Sequence, residues 1–134
     1  MRKRDAIVAG AWAAVLSGAP STISAFATGR DPLEATKAAG SILLRRETRT
    51  PALVAAAVPV HLVLSLGWAL VLDRARVRGP GHGAAAGLLI AALDLGLAGR
   101  RYPRLRDLPL APQVADHVAY GAVVGIVLAR RCHD

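Results

Sequence analysis

Apolar residues in this chain fall into four blocks, and the charged residues sit almost entirely between them. The blocks run over about 6–28, 51–72, 83–99 and 112–129. A helix needs about 20 apolar residues to cross a hydrocarbon layer, and the third and fourth blocks stand near the lower limit. Lipid offers the backbone no hydrogen bonds, so each block is expected to be helical. The pattern predicts an all-α membrane protein, a four-transmembrane-helix bundle in a single integral membrane domain over 1–134.

Between the first two blocks, Asp31-Pro32-Leu33-Glu34 has the order of an N-cap, a first-turn proline and a capping-box acid. The helix it starts, over about 32–45, places Glu34, Lys37, Ser41 and Arg45 on one side and Ala35, Ala38, Ala39 and Ile42 towards the other. That is the pattern of a short amphipathic surface helix. Thr50-Pro51 repeats the cap-and-proline start for the second span. Pro59 within that span, and Pro20 in Gly18-Ala19-Pro20-Ser21-Thr22 of the first, each remove a backbone hydrogen bond and are expected to kink their helices. Loops two and three are short and carry Arg74, Arg76 and Arg78, then Arg100, Arg101, Arg104 and Arg106, so neighbouring spans should run antiparallel.

The net charge of +8 in 134 residues changes this picture little. The arginines flank apolar blocks and form no basic face with interleaved aromatics, so nucleic acid is not the expected partner. Cations beside a bilayer meet anionic head groups instead. The expected partners are the lipid bilayer and, through self-association or a second membrane protein, other spans. Fifteen Arg against two Lys, with abundant Ala, Gly and Val, is the bias of a GC-rich bacterial genome, and the bacterial cytoplasmic (inner) membrane is the expected location. One side of the bundle carries eight Lys and Arg and the other nine, so the positive-inside rule does not choose between orientations; the Arg2-Lys3-Arg4 cluster favours cytoplasmic termini. That cluster and the apolar run ending Ala25-Phe26-Ala27 also have the layout of a cleavable signal peptide. The ordered small-residue stripe of the same segment favours a retained helix. Cys132 is the single cysteine, and Arg131-Cys132-His133-Asp134 reads as a solvated tail rather than a thiol site.

Helices in lipid associate where small residues let their backbones approach. Gly10, Ala14, Ser17, Ser21, Ser24 and Thr28 form one stripe on the first span. Gly83, Gly87, Ala91, Asp94 and Ala98 form another on the third, and His117, Gly121 and Gly125 a third on the fourth. Two of these stripes hold ionisable residues. Asp94 lies six residues before Arg100, about 9 Å below the loop at 1.5 Å per residue. His117 lies five residues after Pro112 on the returning helix, at similar depth. Asp116 precedes it, about 100° around the helix. His61, with Ser65 one turn on, stands near the middle of the second span. The break at Pro20 should present Ser17, Ser21 and Thr22 in the same half. An ionised carboxylate at that depth needs a partner. His61, Asp94, Asp116 and His117 therefore form the expected polar cluster. It reads as a structural lock on the hairpin, as a proton or ion pathway, or, through His61, Asp94 and His117, as a metal site. The spacing matches no metal signature, and no nucleotide-binding loop, nucleophile elbow or dinucleotide fingerprint occurs. No cofactor is named, and an enzyme is the least supported class.

The Gly/Ala-rich first span, His61 in the second, the Gly83-Ala84-Ala85-Ala86-Gly87 start of the third, and above all Asp107-Leu108-Pro109 through His117-Val118-Ala119-Tyr120-Gly121 resemble a group of small bacterial inner-membrane proteins of unknown function, the YagU-like proteins. This chain lacks that group's long first loop, and Asp94 stands roughly where the group carries a third-span histidine. The resemblance implies a topology and no reaction. The expectation is a structural or accessory membrane protein; the alternatives are a small proton- or ion-coupled transporter or channel, or a membrane-embedded metal-binding protein or enzyme.

Overall fold

Proline and glycine decide where the helices of this protein begin and end. In the computed structural model, which describes residues 3–131, α1 (Lys3–Leu16) stops short of Gly18 and α2 (Ala19–Ala27) restarts with Pro20 in its first turn. Proline suits that position because its missing N–H would have no helical acceptor there. The first span is therefore two helices, a fuller interruption than the expected kink. Gly29, at φ 67°, ends α2: its N–H reaches the Phe26 carbonyl and that of Arg30 the Ala25 carbonyl. This is the paired closure of a helix C-terminus that uses a left-handed residue. The second span, α4 (Thr50–Arg74), runs on through Pro59 as one helix. Its end has the same closure, with the Arg76 N–H on Asp73 and that of Val77 on Leu72, but Arg76 occupies the left-handed position at φ 56°.

The third span is α5 (Pro80–Leu93), a π-helical turn over Asp94–Ala98, and the short α6 (Gly99–Arg101). After the small α7 (Pro103–Arg106), α8 (Leu110–Arg131) forms the fourth span. The segments Lys3–Ala27, Thr50–Arg74, Pro80–Arg101 and Leu110–Arg131 are each long and apolar enough to cross a membrane. Their outward faces carry exposed Ile7, Trp12, Val15, Val63, Leu89 and Leu97, an apolar exterior suited to lipid rather than water. The protein is an all-α four-helix membrane bundle, with no strand among the described residues.

Helix α8 is the hub. It packs along α5 on one side and along α1 and α2 on the other, while α4 lies against α1 and touches α8. Consecutive α4 and α5 barely touch, so the order of contact is α4–α1–α8–α5. The core joins Ala9 and Ala13 of α1, Ala69 and Leu72 of α4, Ile90 of α5, and Tyr120, Val124 and Leu128 of α8. Along the first span the inward stripe is Ala6, Ala9, Gly10 and Ala13 of α1 and Ser17 just after it; Ala14 is only partly covered and Thr28, past the end of α2, is exposed, which shifts the expected stripe round the helix. Asp5 of α1 and Arg131 of α8 pair at 3.1 Å across the ends of these two helices. Cys132 and the rest of the tail lie outside the described residues.

The short helix of loop one is α3 (Glu34–Gly40), briefer than expected from sequence. Asp31 Oδ1 accepts the Leu33 N–H at 2.8 Å, which closes the turn ahead of the helix; the N-cap itself is Leu33, two residues later than expected, and no side chain caps it. The Glu34 carboxylate does not complete a capping box; it meets Lys37 Nζ at 3.2 Å, and Asp31 holds the same ammonium at 2.6 Å. These bonds lower the Asp31 pKa, chiefly through Lys37, and raise that of Lys37, chiefly through Asp31. Ser41 is buried rather than on the polar side, because α3 packs on the start of α4. Gly40 makes that possible, since a Cβ there would overlap the Leu53 carbonyl.

Candidate functional site

Helices α5 and α8 meet backbone to backbone. A Cβ on Gly83 would overlap the Gly121 carbonyl, one on Gly87 the His117 carbonyl, and one on Gly125 the Gly79 carbonyl. The Gly79 N–H donates to the Gly125 carbonyl at 2.9 Å. Gly83, Gly87, Gly121 and Gly125 therefore lie at the seam, as close-packed small residues do in membranes.

This register places the Asp94–His117 pair. Gly79 faces Gly125, Gly83 faces Gly121 and Gly87 faces His117, so one turn further Ala91 comes opposite Gln113. Helical side chains lean towards their own N-terminus. In an antiparallel pair, Asp94 then leans back towards the level of Ala91, and His117 towards Gln113. The two converge there, with His117 Nε2 at 3.5 Å from Asp94 Oδ2. His117 Nδ1 is 2.7 Å from the Gln113 carbonyl oxygen and, as the donor, fixes the ring.

Asp116 does something different. Pro20 has no N–H, and the first N–H groups of any helix lack intrahelical acceptors. The Ser21 N–H at the start of α2 donates to Asp116 Oδ1 of α8 at 2.8 Å. A carboxylate there also meets the positive end of the α2 dipole. The other side of the break leaves spare carbonyls at the end of α1. His61 Nε2 of α4 donates to the Ala14 carbonyl at 2.7 Å. The interrupted span is thus completed by an acceptor from α8 and a donor from α4. The side chain of Thr22 returns to the Gly18 carbonyl at 2.8 Å, and that of Ser21 does so at 3.3 Å.

Sequence reasoning did not single out Tyr120, one turn beyond His117. Its hydroxyl donates to the backbone carbonyl of buried Ser65, tying α8 to α4. The available signal was a tyrosine within an apolar span, since a phenol in hydrocarbon needs an acceptor.

The four expected site residues do not converge on one centre. Asp94 and His117 pair, Asp116 turns to the first span within electrostatic range of both His61 and His117, and His61 sits at the α1–α4 boundary. No group of three or more His, Cys, Asp or Glu able to hold a metal ion occurs among the described residues, so His61, Asp94 and His117 do not form the ligand set their depths suggested. Asp116 and His117, about 100° apart on α8, point to different neighbours, a fact that depth alone conceals. His82 lies in the first turn of α5, its Nδ1 at 3.1 Å from the Arg78 carbonyl oxygen.

A pocket of about 310 Å³ opens between α2, loop one and the start of α8. Arg30, Asp31, Glu34 and Asp107 stand around it, and it reaches inward to Ser21 and Gln113. Those two residues bond directly to Asp116 and His117. Comparisons with protein-family models, curated proteins and solved structures find no match for this chain.

Proposed function

We propose that this chain is a structural or accessory protein of the bacterial cytoplasmic membrane, without catalytic chemistry, whose polar residues within the spans hold a discontinuous first span in place. The observation that carries this reading is the engagement of each such group. Asp116 and His61 complete the two ends of the break, Asp94 and His117 pair across the hairpin, and among the described residues no buried side-chain nitrogen or oxygen lacks a hydrogen-bond partner. Satisfied polar groups in hydrocarbon fix the rotation and register of the helices that carry them.

A second reading, a proton- or ion-coupled pathway, is favoured by the pocket that leads from the loop-one and loop-three side to Ser21 and Gln113. Broken helices that line cavities are a recurrent device of transporters. Purified protein in liposomes separates the two. The structural reading expects no proton or cation flux above that of empty liposomes, and lower unfolding temperatures in detergent for Asp94→Asn and His117→Ala. Flux in the wild type that these substitutions abolish, with unfolding temperature unchanged, overturns it in favour of the pathway.

A further inference from the structure

A second cleft, of about 300 Å³, lies where the third span ends, between the π turn, α7 and the start of α8. Leu95, Leu105, Leu108 and Leu110 line it, and Arg100 and Arg106 stand on its wall. Gly96 and Gly99 leave the π-turn side bare. A Cβ at either would meet nothing within 4 Å, although Gly99 is buried. The cleft is therefore open space rather than a seam between packed side chains. Its surroundings are apolar too, with Leu97 and Leu110 each 66% exposed. Arginines at the end of an apolar span mark the boundary between hydrocarbon and water.

We infer that this cleft binds one anionic phospholipid, with an acyl chain along the leucines and the phosphate at Arg100 and Arg106. Filled by water, the cleft would keep the uncovered surface of Leu95, Leu105 and Leu110 wet at the cost of the hydrophobic effect; filled by a chain, it buries that surface. Guanidinium groups match phosphate oxygens with paired donors. Arg100 makes no ion pair among the described residues. Arg106 uses its Nε on Asp107 at 3.6 Å, which leaves its terminal nitrogens for an anion. The pocket beside α2 differs, since its single Arg30 stands among Asp31, Glu34 and Asp107 and has no preference for a negative head group.

The test offers the purified protein mixed micelles of equal phosphatidylglycerol and phosphatidylcholine, and counts lipids retained per chain by native mass spectrometry. One phosphatidylglycerol should be retained in preference to phosphatidylcholine. Replacing both Arg100→Gln and Arg106→Gln should lower that preference roughly thirtyfold, from about 1 kcal/mol per juxtamembrane cation. Gly99→Leu, or Gly96→Leu should the first fail to fold, fills the cleft and should abolish retention at an unchanged unfolding temperature. Excess inorganic phosphate should not displace the lipid, because it brings no chain. Equal retention of the two lipids, retention that survives the double arginine substitution or the filled cleft, or displacement by inorganic phosphate would each overturn the inference.

Discussion

Helix α8 makes two seams, and they work by opposite means. Towards α5 nothing stands between the backbones, and the contact depends on the absence of side chains at Gly83, Gly87, Gly121 and Gly125. Towards the first span the contact depends on side chains, because a helix broken in mid-membrane exposes donors and acceptors that lipid cannot satisfy. Asp116 meets the donor at Ser21, while His61, from α4, meets the acceptor at Ala14. One seam is a matter of shape, the other of hydrogen bonding, and they should fail differently under substitution.

The largest effect is expected in the glycine seam. Gly121→Val puts methyl groups into the Gly83 carbonyl and should cost about 3 kcal/mol, the upper range for overpacking, read as loss of unfolding free energy in detergent. Gly67→Ala on α4, where a Cβ meets nothing within 4 Å, is the matched control and should leave stability unchanged or slightly raised. In the capped seam, Asp116→Ala should cost about 1–2 kcal/mol and Asp116→Asn less, since the amide keeps an acceptor. Hydrogen exchange at Ser21 should speed up in the alanine variant while exchange at Gly87 stays as it was. His61→Ala, which removes one hydrogen bond, should cost about 1 kcal/mol by the same unfolding measurement.

The smallest effect lies outside both seams, in loop one. Hydrogen bonds from the Arg49 side chain, with further ones from the backbone of Arg49 and Thr48, hold the Glu47 carboxyl down at about 2 instead of 4.5. Its folded pKa is depressed, so its contribution is complete above 4.5 and disappears as the pH falls towards 2. Glu47 lies in a loop and bonds only to its sequence neighbours Thr48 and Arg49, so the change should appear as a carboxyl titration in NMR spectra rather than as global unfolding. Arg49→Gln should move that midpoint back towards 4.5.

The spans were legible because hydrocarbon imposes a length and a polarity that the sequence displays openly. The glycine stripes were legible for a related reason, since small residues at steps of four draw one helix face. Asp94 and His117 could be matched by depth alone because a short loop fixes the hairpin. Asp116 and His61 could be placed at depth but not assigned to partners. Their partners are backbone groups, which every residue possesses, and those groups are free only because Pro20 produces a new helix start rather than a bend. The rotation of α4 about α1, which puts His61 beside Ala14, is set by packing at Gly10 against Ser65 and Ala69, a contact between elements far apart in sequence. The π turn at Asp94–Ala98 had no pattern to announce it, and Gly96 and Gly99 within or beside it take on meaning only once the cleft is seen.

A double-substitution cycle between Pro20 and Asp116 tests the capping account most directly. Alanine at position 20 restores an N–H and lets the first span close its own hydrogen bonds, so that Ser21 can find Ser17 within the helix. Unfolding free energies are measured for wild type, Pro20→Ala, Asp116→Ala and the pair. The account predicts that Asp116→Ala costs about 1–2 kcal/mol beside Pro20 and well under half of that beside alanine. An equal cost in both backgrounds would mean that Asp116 is not there to complete the broken helix.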